Sequence, residues 1–329
     1  MQMKFPDDYK PRVKKINDRL VRSLEVIEDM NLRSAMAHYP AAGGKRLRPL
    51  LATIVSEAVG GKAETAMPFG VALEMVHNFT LVHDDVMDED DTRRGIPTVH
   101  AEFGIPEAIL AGDALFARAF ELVLESDVDS GDVVKLVEIL AKAVRILAEG
   151  QQLDMSFEHA KTVRSGDYMK MIERKTAVLY SAAAEAGAIV GGGSENQQEA
   201  MFEYGRLIGL GFQIWDDVLD LTSDVETFGK PVLNDIRNGK KTLIVVNALE
   251  DLSGAERKEF LSVLGKKNAT KKELIRARDI LDEVGSIDHA TRVANELIAN
   301  AKGQLHVLNR SPHKEALKQF ADYMVTRKT

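Results

Sequence analysis

The chain of 329 residues contains no cysteine, which excludes disulfides, thiolate metal sites and cysteine nucleophiles and suits a reducing cytoplasm. Aromatic residues are scarce at 6%, with one tryptophan, and prolines number 9. What remains is rich in Ala, Leu, Val and Glu, so an all-α chain is expected. Net positive charge is also missing: the formal balance is −8, which argues against wholesale nucleic-acid binding, because phosphate backbones need a basic surface. Uninterrupted apolar stretches long enough to span a membrane are absent too. Thr176 to Gly193 comes nearest, but Glu185 interrupts it and its length is marginal, so it reads as a buried helix and no stable membrane insertion is expected. Met1 to Lys15 is charged, lacks an apolar core and does not read as a signal peptide.

Apolar residues recur at spacings of three and four along most of the chain, as in Leu47–Val59, Met67–Met87, Pro106–Leu124, Val133–Leu153, Tyr168–Val190 and Glu195–Leu221. With further runs toward the carboxyl end, these spacings predict about a dozen helices and no strand. No linker of Pro, Ser or Gly character divides the chain, so residues 1–329 are expected to form one domain. Pro106 and Pro68 are expected in the first turns of their helices, where a missing N–H costs nothing.

The pattern Asp-Asp-x-x-Asp occurs twice, at Asp84-Asp85-Val86-Met87-Asp88 and at Asp216-Asp217-Val218-Leu219-Asp220. Each copy closes a long apolar run. On a helix the first and last Asp of each copy differ by roughly 40° around the axis, so they face one way. Like charges held that close repel unless a cation lies between them, and carboxylate oxygens suit Mg²⁺ whose remaining ligands are water and substrate phosphate.

Cations are grouped as well. Gly43-Gly44-Lys45-Arg46-Leu47-Arg48-Pro49 sets three of them before an apolar helix, a local anion site in an acidic chain. Arg93-Arg94 follows the first Asp cluster, a spacing that suits either a ligand contact or a plain surface pair. Lys175-Thr176 interrupts an apolar run, while Gly229-Lys230 and Gly239-Lys240-Lys241-Thr242 flank Asn234-Asp235-Ile236. Acidic helix ends alternating with cationic loops in both halves are what metal-bridged diphosphates require. No Walker sequence, no Gly-x-Gly-x-x-Gly after a strand and no Gly-x-Ser-x-Gly elbow occurs, so neither nucleotide use nor serine hydrolysis is supported. Only one Glu-x-x-His pair, Glu74 with His77, occurs on the Asp helices, where a di-iron bundle needs one on each of two helices. His77 lies two turns before Asp84 and suits either a satisfied core position or a ligand contact.

These pieces resemble the trans-isoprenyl diphosphate synthases, also called polyprenyl synthetases, over most of the chain from about Tyr39. The resemblance is carried by residues 43–49, by Leu-Val-His-Asp-Asp-Val-Met-Asp at 81–88 with Arg93-Arg94-Gly95, and by Gly112-Asp113. It continues through Gly150-Gln151-x-x-Asp154, Lys175-Thr176, Gln213-Ile214-Trp215-Asp216-Asp217-x-x-Asp220, and Gly229-Lys230 to Lys240. It implies a helical bundle of isoprenoid-synthase type around a deep central cavity, homodimeric, with the Asp clusters facing each other. The implied metal set is Asp84, Asp85, Asp88, Asp216, Asp217 and Asp220, with three Mg²⁺ on the allylic diphosphate through Asp84 and Asp88 on one side and Asp216 on the other. Arg93, Lys175 and Lys230 would contact the allylic diphosphate, with Lys240 nearby, and Lys45, Arg48, His77 and Arg94 would hold isopentenyl diphosphate. The carbonyl of Thr176 and the side chain of Gln213 would steady an allylic cation.

Product length, by the same resemblance, is set at Val76, Phe79 and Thr80, which stand 8, 5 and 4 residues before Asp84. Only Phe79 is large, a pattern similar to the geranylgeranyl (C20) type common in archaeal sequences, with C15 and C25 behind it. A terpene cyclase would carry a different second motif. A regulatory subunit of a heteromeric synthase generally loses an Asp cluster or its cationic loops, and this chain keeps them.

Overall fold

The structure, a computed structural model, describes residues 5–93, 95–160, 162–223 and 233–327. Helix follows helix through the described residues, as the composition leads one to expect. The chain forms two compact units, each drawn from three separate stretches. One contains Met1–Val144, Leu179–Gly205 and Gln304–Phe320; the other contains Arg145–Val178, Arg206–Gly303 and Ala321–Thr329.

The first unit is built on the helices Leu47–Val59 and Ala63–Met87, both largely buried. Gly60, in the left-handed region at φ +108°, ends the former. Their close approach depends on Gly70, where an added Cβ would stand 2.9 Å from the Cα of Pro49. The Ala-rich stretch from Leu179 to Val190 packs on the same helix at Gly187, where a Cβ would lie 3.1 Å from the Cα of Ala52. Small residues let backbones meet here, and burial of the surrounding Leu, Ile and Val side chains, about 1.5–3 kcal/mol each, supplies the driving force.

The second unit gathers the carboxyl half of the Glu195–Thr222 helix, from Arg206, with shorter helices between Asn234 and Glu283 and the Ser286–Gln304 helix as far as Gly303. Gly211 packs against Ile298, and Thr270 with Glu273 forms a capping box that starts the Lys271–Glu283 helix.

The all-α expectation holds, and several local ones need correction. Among the described residues there are more helices than a dozen, because Met30–Ala41, Val99–Phe103 and Asn234–Asn238 are helical as well. A two-residue hairpin pairs Thr92–Arg93 with Ile96–Pro97, reversing through Gly95 at φ +78°. Two residues a side are too few to show alternation in a sequence. Pro68 is not in a first turn: the helix begins at Ala63, so the ring is buried inside it. The run Tyr168–Val190 is not one α-helix, since Glu173–Ala177 widens into a π-turn between Ser165–Ile172 and Val178–Val190. No helix among the described residues is long and apolar enough to cross a membrane.

Candidate active site

In the first unit the Ala63–Met87 helix delivers Asp84, Asp85 and Asp88 at its carboxyl end. Carboxylates there meet the negative end of the helix dipole, an unfavourable placement unless a cation is close. Asp84 is half-buried and Asp88 exposed, whereas Asp85 is 0% exposed. The hydroxyl of Tyr39, on the Met30–Ala41 helix, donates to Asp85 Oδ2, and Arg93 donates from Nε to Oδ1 at 2.7 Å. The hairpin thus hangs from Asp85 through Arg93. Burial opposes the Arg93 charge, but the bond to Asp85 prevails and raises its pKa. Arg94 lies outside the described residues.

Of the three clustered cations, Arg46 turns inward. At φ +49° it enters the left-handed region, and its guanidinium donates to Glu74 at 2.8 Å and to the carbonyl of Pro40 at 2.8 Å. It fixes the loop, so its buried charge is paired and fully used. Lys45 is exposed, and Arg48 lies half-buried with its guanidinium carbon 4.6 Å from the ring centre of Tyr180. His77 is half-buried. Two residues on, Phe79 meets His83 edge-on at 4.9 Å, and Phe116 lies 5.6 Å away. His83 sits close because Gly112 has no side chain: a Cβ there would be 2.9 Å from the imidazole Cε1. Val76 and Thr80 are buried.

In the second unit the π-turn carries Lys175 and Thr176. Gly150 explains how it is approached: a Cβ would stand 2.7 Å from the Cα of Lys175 and 2.7 Å from the carbonyl carbon of Arg174. One turn on, Asp154 accepts from Lys175 Nζ at 2.5 Å. Gly150-Gln151-x-x-Asp154 is therefore the seat of the π-turn, with Gly150 admitting it and Asp154 pairing its lysine. Thr176 Oγ1 donates to Gln213 Oε1 at 2.8 Å, and Gln213 Nε2 donates to Asp217 at 3.0 Å. Tyr168 donates its hydroxyl to the other Asp217 oxygen at 2.6 Å.

Asp220 is 9% exposed, and Oδ2 accepts from the backbone N–H of Asp235 at 3.1 Å. Burial, then the charge of Asp235, pushes its pKa up to about 7. Burial and Asp235 also push Asp217 well above the usual carboxylate range, against the bonds from Tyr168 and Gln213. Asp235 itself is raised by burial and by Asp216, with Lys240 pulling the other way from 3.8 Å. Asp216 is paired with Arg327, whose guanidinium carbon lies 4.1 Å from the ring centre of Phe212 and whose carbonyl accepts from Trp215 Nε1 at 3.2 Å. Lys230 lies outside the described residues.

Crowded carboxylates that hold protons far above their ordinary range suit a divalent cation, which neutralises them at less cost than protons. Among the described residues no three His, Asp or Glu side chains close around one point. Open clusters of this kind fit Mg²⁺, which takes one or two carboxylates and completes its shell with water and phosphate oxygen.

The polyprenyl synthetase family model matches residues 29–284. The chain belongs to the polyprenyl synthetase family. Geranylgeranyl diphosphate synthase of Methanosarcina mazei is 44% identical over 327 residues, 99% of each chain. Among solved structures, geranylgeranyl pyrophosphate synthetase from Pyrococcus horikoshii superposes with a TM-score of 0.93 at 41% identity, covering 98% of both chains. Polyprenyl synthase from Caulobacter crescentus, complexed with calcium and isoprenyl diphosphate, gives 0.88 at 35% identity over 98% of this chain and 96% of that one. As a polyprenyl synthetase, the chain carries side chains to which the sequence assigned no role of their own: Tyr39, Tyr168 and Asp235. A hint of the first was Asp29, which caps its helix by accepting from Leu32 N–H at 2.8 Å.

Proposed function

We propose that the protein is an Mg²⁺-dependent prenyltransferase. It condenses isopentenyl diphosphate with allylic diphosphates to an all-trans short-chain product, geranylgeranyl diphosphate (C20). The observation that carries this reading is the paired construction: each unit ends a long helix in an Asp-Asp-x-x-Asp cluster and sets cations beside it. Family membership and the relatives' names support the reaction class, and the calcium-bound neighbour supports a divalent metal.

Mg²⁺, three ions in all, would supply positive charge to the departing diphosphate. The allylic C–O bond breaks with its electron pair going to diphosphate, and the double bond of isopentenyl diphosphate then attacks the allylic cation. A proton is finally lost, with released diphosphate as the base. The protein's part is placement and charge. Lys175 and Arg93, with Lys230 and Lys240, meet the allylic diphosphate, while Lys45, Arg48, His77 and Arg94 meet isopentenyl diphosphate. The Gln213 carboxamide is held from both ends, so its dipole is fixed before reaction, as electrostatic stabilisation of a cation beside the Thr176 carbonyl requires. Apolar walls matter equally, since water would quench the cation.

Phe79 lies about 7.5 Å of helix rise below Asp84 and sits against His83 and Phe116, which supports it as the floor that stops growth at C20. The Ile105–Leu124 helix leaves Ile105, Ile109, Leu110 and Leu124 exposed, an apolar face that supports a homodimer. Ile109→Asp is expected to yield monomers in sedimentation analysis.

The test is incubation of the pure protein with labelled isopentenyl diphosphate, Mg²⁺ and C5, C10 or C15 allylic primers, followed by chromatography. A C20 product that EDTA abolishes is expected. No product from the homomer would return the chain to a regulatory subunit.

A further inference from the structure

The two motifs share a feature that their spacing does not demand. In each, the middle aspartate turns inward and receives a tyrosine hydroxyl from another helix. Asp85, 0% exposed, takes Tyr39 on one oxygen and Arg93 on the other. Asp217, 7% exposed, takes Tyr168 on one oxygen and Gln213 on the other. Both tyrosines are buried, and they come from unrelated stretches of sequence. The arrangement therefore arises twice, once in each unit.

Building on the prenyltransferase reading, in which the outer aspartates hold Mg²⁺, we propose that Asp85 and Asp217 act as anchors through which two tyrosines work. Tyr39 and Tyr168 are then positioning residues that, through these aspartates, aim Arg93 at the diphosphate and Gln213 at the cation. The geometry argues this directly. On a helix Asp85 is rotated about 100° from Asp84, and Asp217 by the same angle from Asp216, away from the line of the outer carboxylates. Coordination at about 2.1 Å would require Asp85 to drop a charge-assisted bond and leave its buried seat. In place, it fixes two donors of the Arg93 fork, and the Arg93 side chain stays 22% exposed for a ligand. Asp217 does the same for an amide: with Nε2 bound to Asp217, Oε1 faces Thr176, so the Gln213 dipole has one orientation. One carboxylate thereby orients a cation and the other a neutral dipole, which suits an anionic leaving group and a cationic intermediate respectively.

Two sets of variants test this. In the first, Mn²⁺ binding in the presence of inorganic diphosphate is counted by electron paramagnetic resonance, without turnover. Asp85→Asn should keep the wild-type Mn²⁺ stoichiometry while weakening diphosphate binding about tenfold, the loss of one charge-assisted bond. Asp84→Asn should lose an ion. In the second, Tyr39→Phe should raise the KM for allylic diphosphate about tenfold and add nothing in an Arg93→Gln background. Tyr168→Phe should instead lower kcat at unchanged KM and add nothing to Gln213→Leu. Loss of a Mn²⁺ ion in Asp85→Asn, or fully additive effects in both double-variant cycles, would overturn the proposal. A lowered melting temperature without the KM and kcat split would assign the tyrosines a merely structural role and overturn it equally. A wild-type protein that makes no prenyl diphosphate sinks the functional reading alone, because the Mn²⁺ count is read without any product.

Discussion

Replacing Gly150 by alanine adds one methyl group at the place where the Ser130–His159 helix crosses the π-turn. That methyl would stand 2.7 Å from Lys175 Cα and Arg174 C, and nearer still to Lys175 N, all backbone atoms that cannot rotate away. Ordinary contact begins at 3.4 Å, so the two segments must part by at least roughly 0.7 Å (3.4 − 2.7). Overpacking of this kind costs about 1–3 kcal/mol, a melting shift of roughly 1–4 °C for a chain of this size. The effect on turnover should be larger in proportion. Lys175 and Thr176 ride on the displaced turn, and misplacement approaching 1 Å costs about 100-fold in rate. Gly131→Ala on the same helix is the control, because nothing lies within 4 Å of its added Cβ. Thermal unfolding and steady-state prenyl transfer would be read on both variants. A Gly150→Ala protein that melts and turns over like the Gly131→Ala control would refute the idea that the crossing sets the reactive turn.

Phe79→Ser removes the ring held between His83 and Phe116 and should shift the product from C20 toward C25, read by chromatography. An unchanged product ladder would place the floor elsewhere. Asp220 holds its proton in the folded, metal-free chain up to about pH 7, well above an ordinary value near 3.9. The stability this gives is complete below about pH 4 and lost as pH rises through 7, and metal must displace the proton. Apparent Mg²⁺ affinity, measured calorimetrically with diphosphate present, should therefore climb about tenfold from pH 6 to 7 and level off above; a flat profile would count against Asp220 as a ligand. Asp216 cannot serve both the Arg327 guanidinium and a metal ion, and Trp215 bonds to the Arg327 carbonyl. Mg²⁺ and diphosphate should thus move the emission of this single tryptophan toward that of Arg327→Gln, and identical spectra before and after loading would contradict displacement.

What the sequence revealed and what it hid have physical causes. The helix Leu47–Val59 was legible to the residue because apolar residues at helical spacing are stopped by Gly60. Both Asp clusters were legible as helix ends because each closes a stretch of helical apolar spacing. Met30–Ala41 was not, since His38, Tyr39 and Pro40 break its apolar stripe, and with it went Tyr39. The π-turn was hidden because apolar spacing across one extra residue still reads as a helix, and its cause lies at Gly150, over twenty residues earlier. Nor does a string of cations say which one folds inward: Arg46 is chosen by Glu74 and Pro40, partners that only the fold brings near.

Neither compact unit corresponds to a contiguous stretch of gene, because each is threaded from three pieces that alternate along the chain. A nonsense codon anywhere between Arg206 and Phe320 therefore strips parts from both bodies at once. Fragment complementation or exon-style shuffling, which works for domains strung like beads, has no natural cut site here, and variation must come residue by residue.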